Sequence, residues 1–263
     1  MSTSTFTYSM LLVSDDGPTR TFTLNNPARK NAIGPVMVNE LLWALSDALE
    51  NTAVRSVVIT GAGDAFCAGG DFAQMTAGAQ GSDLPPKGDY ADLLLALVNS
   101  TKPIVARVNG HAMGGGLGLV AAAHFAIGVR GAKLGTPEIN VGLFPMMIMA
   151  VLQRVMPRRK LLSMMLLGER LEADDAVAAG LLGKAVDAAD LDTAVKQVTD
   201  SIASKSPVAT RLGLQALAAQ DDLDLETALP LLRERLAGVL GTDDAREGLM
   251  AFLEKRPPKW TGK

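Results

Sequence analysis

The chain has 263 residues, and its 25 Lys+Arg against 28 Asp+Glu leave a net charge of −3, which gives no electrostatic reason to bind nucleic acid. With 48% hydrophobic and 20% charged residues it is neither a disordered tail nor a coiled coil, and a chain this long can hide roughly three quarters of its unfolded surface. One cysteine, Cys67, cannot pair within the chain, and two histidines, His111 and His124, cannot build a zinc cluster, so no disulfide or metal site is expected.

No basic n-region precedes the short apolar stretch at 10–13, so the expectation is a soluble, cytoplasmic protein. The run at 117–123 falls well short of the roughly 18 residues a membrane span needs, so no membrane partner is expected.

Residues 21–24 alternate as a strand, and Pro35 then opens a helix with Val38, Leu41, Leu42, Leu45 and Leu49 on one face. A buried strand at 57–59 leads into a glycine-rich loop, 61–71. Residues 77–89 combine Gly, Pro and charge without period and read as a mobile lid or rim, followed by a helix at 90–98. A second buried strand, 103–108, runs into Asn109-Gly110-His111-Ala112-Met113-Gly114-Gly115-Gly116, then a helix at 117–123 and a strand at 125–129. Strand, glycine turn and helix thus recur, which argues for an α/β core covered on both sheet faces. From about residue 161 the pattern reads as almost wholly helical, with segments at 173–179, 191–203, 208–219, 225–240 and 243–255.

Glycine turns after strands invite a nucleotide-binding reading, but no G-x-G-x-x-G, phosphate loop or G-x-S-x-G is present. What two such loops can do is aim two backbone N–H groups at one oxygen. Such donors stabilise charge developing on a carbonyl, and losing one can cost on the order of 3 kcal/mol of transition-state stabilisation.

Several spaced motifs resemble the enoyl-CoA hydratase/isomerase (crotonase) superfamily: Leu24-Asn25-Asn26-Pro27 to Asn31-Ala32, Phe66 to Asp71, Val108-Asn109-Gly110 to Gly116, Gly135-Thr136-Pro137-Glu138, Leu167-Gly168-Glu169 and Glu247-Gly248 to Arg256. The resemblance implies an α/β spiral of ββα units over residues 1–190 and a C-terminal helical trimerisation region over 191–263, as one continuous domain. It implies an acyl-CoA thioester as substrate, a homotrimer or dimer of trimers, and no metal or redox cofactor, coenzyme A being part of the substrate. The implied oxyanion donors are the N–H groups of Gly70 and Gly115, with Glu138 as the acid-base residue. Contacts to the coenzyme A portion would come from Ala28, Arg29, Ala68, Asp71, Phe72 and Lys255.

Two features depart from the hydratase pattern. Hydratases of this family place two glutamates at the substrate; here Glu138 matches the second, while the position of the first is Gly118, which offers space instead of a base. Residues i and i+3 share a helix face, so a side chain at 118 would point toward the region of Gly115. After Phe144-Pro145 the chain reads Met146-Met147-Ile148-Met149, and flexible apolar methionines suit an acyl pocket better than a water site. Three mechanisms stay open: double-bond isomerisation with Glu138 moving one proton, hydration with Glu138 alone, and acyl-CoA binding or scaffolding without turnover. His111 and His124 carry no assigned catalysis, Cys67 reads as a buried filler, and Asp64 and Asp71 read as loop-shaping carboxylates.

Overall fold

A computed structural model describes residues 6–71, 74 and 83–263. Two sheets organise it. The larger has the order β1-β2-β3-β5-β7-β10, from strands Leu11–Asp16, Thr19–Leu24, Ser56–Gly61, Ile104–Val108, Phe125–Val129 and Lys184–Val186. Its β1/β2 pair is antiparallel and the remaining pairs are parallel. The smaller has the order β4-β6-β8-β9, from Ala65–Cys67, His111–Met113, Lys133–Gly135 and Arg170–Glu172.

Successive strands visit the large sheet and then the small one, so β3–β4, β5–β6 and β7–β8 are repeated turns of one spiral. Helices close these turns: α1 (Pro35–Glu50), α2 (Tyr90–Val98), α3 (Gly115–Ala122), α4 (Met146–Val155), α5 (Arg158–Leu167) and α6 (Ala173–Ala178). β3 is buried along its whole length, as a parallel strand covered on both faces must be.

The expected apolar stripe of α1 is in place, with Val38, Leu41, Leu42 and Leu45 buried and Pro35 in the first turn, where a missing N–H costs nothing. α2 begins at Tyr90 because Asp89 and Asp92 form a capping box: the Asp89 carboxylate accepts from the Ala91 and Asp92 N–H groups, and Asp92 accepts from the Asp89 N–H at 2.8 Å. The cap fixes where Tyr90 leaves the backbone, which matters at the site below.

The helical reading beyond residue 161 needs correction, because β9 and β10 lie in that stretch and join the small and large sheets. Three-residue strands are too short to imprint a period of two on the sequence. The C-terminal helices are α7 (Leu191–Ala203), α8 (Pro207–Gln220), α9 (Leu225–Leu240) and α10 (Asp243–Leu253). α7 buries Leu191, Ala194 and Val195 against Val58, Val105 and Ile127 of the large sheet, so it covers the face opposite α1. α8 to α10 instead leave many large apolar side chains in the open, among them Leu225, Leu229, Leu236, Leu240 and Phe252. Among the described residues no helix is long and apolar enough to cross a membrane.

Candidate active site

Two loops at the sheet ends build the site. The first runs from the end of β3 through β4 to Asp71, and its segment before β4 is anchored by Asn31, whose Nδ2 donates to the Ala62 and Ala65 carbonyls at 2.8 and 2.9 Å. Asn109 ties the same loop to β5, its Oδ1 accepting from the Gly61 N–H and its Nδ2 donating to the Gly63 carbonyl, both at 3.0 Å. Gly69 takes φ +108, which L side chains rarely adopt. A parallel bridge then pairs Gly70 with Ile33: the Ile33 N–H donates to the Gly69 carbonyl and the Asp71 N–H to the Ile33 carbonyl, each at 2.8 Å. Such a bridge employs the groups flanking Gly70, so its own N–H faces away from Ile33.

The second loop precedes α3. Gly114 is the helix N-cap at φ 48 and ψ −122, and the Gly115 N–H is the first of the orphan donors every helix start leaves. Gly70, Gly115 and Glu138 all line one cavity of about 440 Å³. Leu143, Phe144, Pro145, Met146, Met147 and Ile148 make most of its remaining wall apolar. Met146 and Met147 open α4 and are 62% and 50% exposed, so they lie at the cavity mouth rather than in the core.

Glu138 reaches the cavity from a short 3-10 turn, Pro137–Val141, held by the buried Thr136, whose Oγ1 donates to the Met164 carbonyl at 3.0 Å. Its Oε1 lies against Gly114, where a Cβ would come within 2.7 Å. Its Oε2 is buried without a hydrogen-bond partner among the described residues. Burial pushes this carboxyl above the ordinary glutamate range, its own backbone N–H partly offsetting the rise. A carboxylate so placed can accept a proton from carbon and return it.

Ala28, Arg29, Ala68 and Asp71, expected from the resemblance to contact coenzyme A, cluster beside the first loop. Ala68 is exposed and its N–H donates to the Lys30 carbonyl at 2.9 Å, which brings it beside the turn holding Ala28 and Arg29. Arg29 pairs with Asp71 across 3.1 Å, one half exposed and the other fully buried, and Asp71 Oδ2 has no partner among the described residues. Asp71 also accepts from the Gln74 N–H at 3.2 Å, in keeping with a loop-shaping role. Phe72 and residues 77–82 lie outside the described residues; 83–89 run along α1, where Asn39 Nδ2 and Trp43 Nε1 donate to the Pro85 carbonyl, and Gly88 and Asp89 rim the cavity. Lys255 follows α10 at φ 54 and does not line the cavity.

The remaining candidates have structural roles. His111, exposed at the start of β6, accepts through Nδ1 from the Lys133 N–H at the start of β8 at 2.9 Å, and His124 Nδ1 accepts from the Ile104 N–H at 3.0 Å. Cys67 is buried, and burial pushes its thiol up to about 11.

Gly118 is where the sequence misleads. A Cβ there would overlap Tyr90 Oη and come within 2.5 Å of Ile148 Cγ2, so the expected empty space is filled. The Tyr90 hydroxyl donates to the Gly115 carbonyl while its ring lines the cavity. The capping box marks Tyr90 as a helix start, but nothing local to residue 90 announces that its hydroxyl crosses to α3.

A ββα spiral carrying one glutamate and two loop glycines on an apolar cavity defines the crotonase class of α/β fold. The sequence model described as Enoyl-CoA hydratase/isomerase matches residues 20–263, and the chain belongs to that family. It is 32% identical over 244 residues to enoyl-CoA hydratase domain-containing protein 3, mitochondrial, of Rattus norvegicus, covering 92% of this chain and 81% of the relative. The crystal structure of enoyl-CoA hydratase from Mycobacterium smegmatis superposes with a TM-score of 0.87 at 32% identity, covering 96% of this chain and 99% of that one. That of enoyl-CoA hydratase from Bacillus anthracis superposes with a TM-score of 0.89 at 28% identity, covering 97% and 100%. Family membership supports an acyl-CoA-processing enzyme.

Proposed function

We propose that this chain isomerises the double bond of an enoyl-CoA with Glu138 as its single acid-base residue. The observation that carries the reading is the Glu138 carboxylate, buried on one oxygen without a partner and set against the start of α3 in an apolar cavity. The thioester carbonyl sits between the Gly70 and Gly115 N–H groups, which hold the negative charge of the dienolate. Glu138 removes a proton from C2 of a 3-enoyl chain and returns it at C4, so the double bond moves to C2–C3 and nothing is consumed. The scheme requires no cofactor beyond the coenzyme A of the substrate. Ala28, Arg29, Ala68 and Asp71 bind the coenzyme portion, joined by Phe72, and Lys255 reaches the nucleotide end. Met146 and Met147 adapt to the acyl chain.

Hydration by Glu138 alone is the second reading, favoured by the relatives, which carry the name of hydratases. A panel of 2-enoyl- and 3-enoyl-CoA thioesters, followed by absorbance and mass, decides between them, since hydration adds the elements of water. Turnover of neither, with acyl-CoA bound, would leave a scaffold.

The exposed apolar faces of α8 to α10 support assembly into a homotrimer or a dimer of trimers, because patches of this kind on a single chain mark an interface.

A further inference from the structure

We propose that Tyr90 is the residue that keeps a reactive water out of this site and so selects isomerisation over hydration, an inference that rests on the Glu138 reading. Hydration forms a C3–O bond and a C2–H bond and consumes one water, which must be pinned beside C3. A buried water needs two to four polar partners. Among the described residues, the ionisable or hydroxyl side chains lining the cavity are Glu138, Tyr90 and Asp89. Asp89 is occupied in capping α2. The Gly115 carbonyl would be a second anchor for a water, but the Tyr90 hydroxyl already donates to it. The Tyr90 hydroxyl and Ile148 also fill the volume beside Gly118, so a water there has neither room nor, among the described residues, a second free partner. Burial holds the Tyr90 phenol well above its ordinary pKa, with smaller pushes from Cys67 and Glu138, so it remains a neutral donor and supplies no base of its own.

The test compares the full-length wild type with Tyr90→Ala and Tyr90→Phe on one 2-enoyl-CoA and its 3-enoyl isomer, with hydration and isomerisation rates read separately by mass and absorbance. Tyr90→Phe, which removes only the hydroxyl and so frees the Gly115 carbonyl, should raise the hydration rate at least threefold over wild type, and Tyr90→Ala, which removes the ring as well, at least tenfold. A hydration rate no higher than wild type in both Tyr90→Ala and Tyr90→Phe overturns the inference. If Tyr90→Ala does not bind the thioester, Tyr90→Leu carries the same comparison. Wild type that hydrates as fast as it isomerises would sink the isomerase reading instead, and that result is read from the wild type alone.

Discussion

Gly114 and Glu138 are fitted to each other: a Cβ at Gly114 would stand 2.7 Å from the Glu138 Oε1, and the φ of +48 there is one that only glycine takes without strain. Gly114→Ala should therefore displace the carboxylate as well as strain the helix start, by about 1–3 kcal/mol for the backbone alone. We expect kcat/KM to fall more than tenfold in protein that still folds. Unchanged kinetics would show that the carboxylate has slack.

Glu138→Gln keeps the shape of the side chain and removes the base. Turnover should vanish while acyl-CoA affinity changes by less than about tenfold, roughly 1.4 kcal/mol. Titration calorimetry beside a rate assay checks both halves, and residual turnover would remove Glu138 from the chemistry.

The raised Glu138 carboxyl has a pH signature. As a base it works ionised, so kcat/KM should rise as pH climbs through its elevated pKa, placing the acid limb above the ordinary value of about 4.3. The folded state also holds this proton more tightly than the unfolded one. Its contribution to stability is therefore full below the unfolded pKa and lost as pH rises through the folded one. Glu138→Gln should melt higher than wild type at neutral pH, read by thermal unfolding across pH. An acid limb at or below the ordinary glutamate range would contradict the burial argument.

At Gly115 the relevant quantity is space. A Cβ there would meet Ile33 Cγ2 at 3.0 Å and the Tyr90 ring at 3.6 Å, so Gly115→Val should crowd the donor and lower activity by more than a hundredfold. His111→Ala forfeits one exposed hydrogen bond between the starts of β6 and β8, about 1 kcal/mol, and should leave kinetics within about twofold. If the histidine variant lost more activity than the valine variant, the chemistry would have to be rebuilt around His111.

Phe252 and Leu253 end α10 at 81% and 72% exposure and do not line the cavity. Replacing both with serine should shift the protein from trimer or hexamer toward monomer in light scattering. A wild type that is monomeric at micromolar concentration would contradict the assembly reading.

Much of this architecture is legible in the chain itself. The stripe of α1 and the buried runs at β3, β5 and β7 are long enough to display a period or an unbroken apolar core, and Pro137-Glu138 survives as a local motif. β4, β6, β8, β9 and β10 do not announce themselves, since three residues carry too little pattern and their pairing is set by the spiral. Gly118 shows the same limit at the site. Its missing side chain is plain in the sequence, but the phenol that takes the volume comes from a helix that starts 28 residues earlier, and only packing brings Tyr90 and Gly118 together.

The most direct test of the central claim is turnover of a 3-enoyl-CoA deuterated at C2, by wild type and by Glu138→Gln, with product mass and label position read together. One carboxylate moving one proton predicts a 2-enoyl-CoA with no water added and part of the deuterium at C4, formed by wild type and not by the glutamine variant. Continued conversion by the glutamine variant, or wild-type product that has gained the elements of water as fast as the bond migrates, would contradict it.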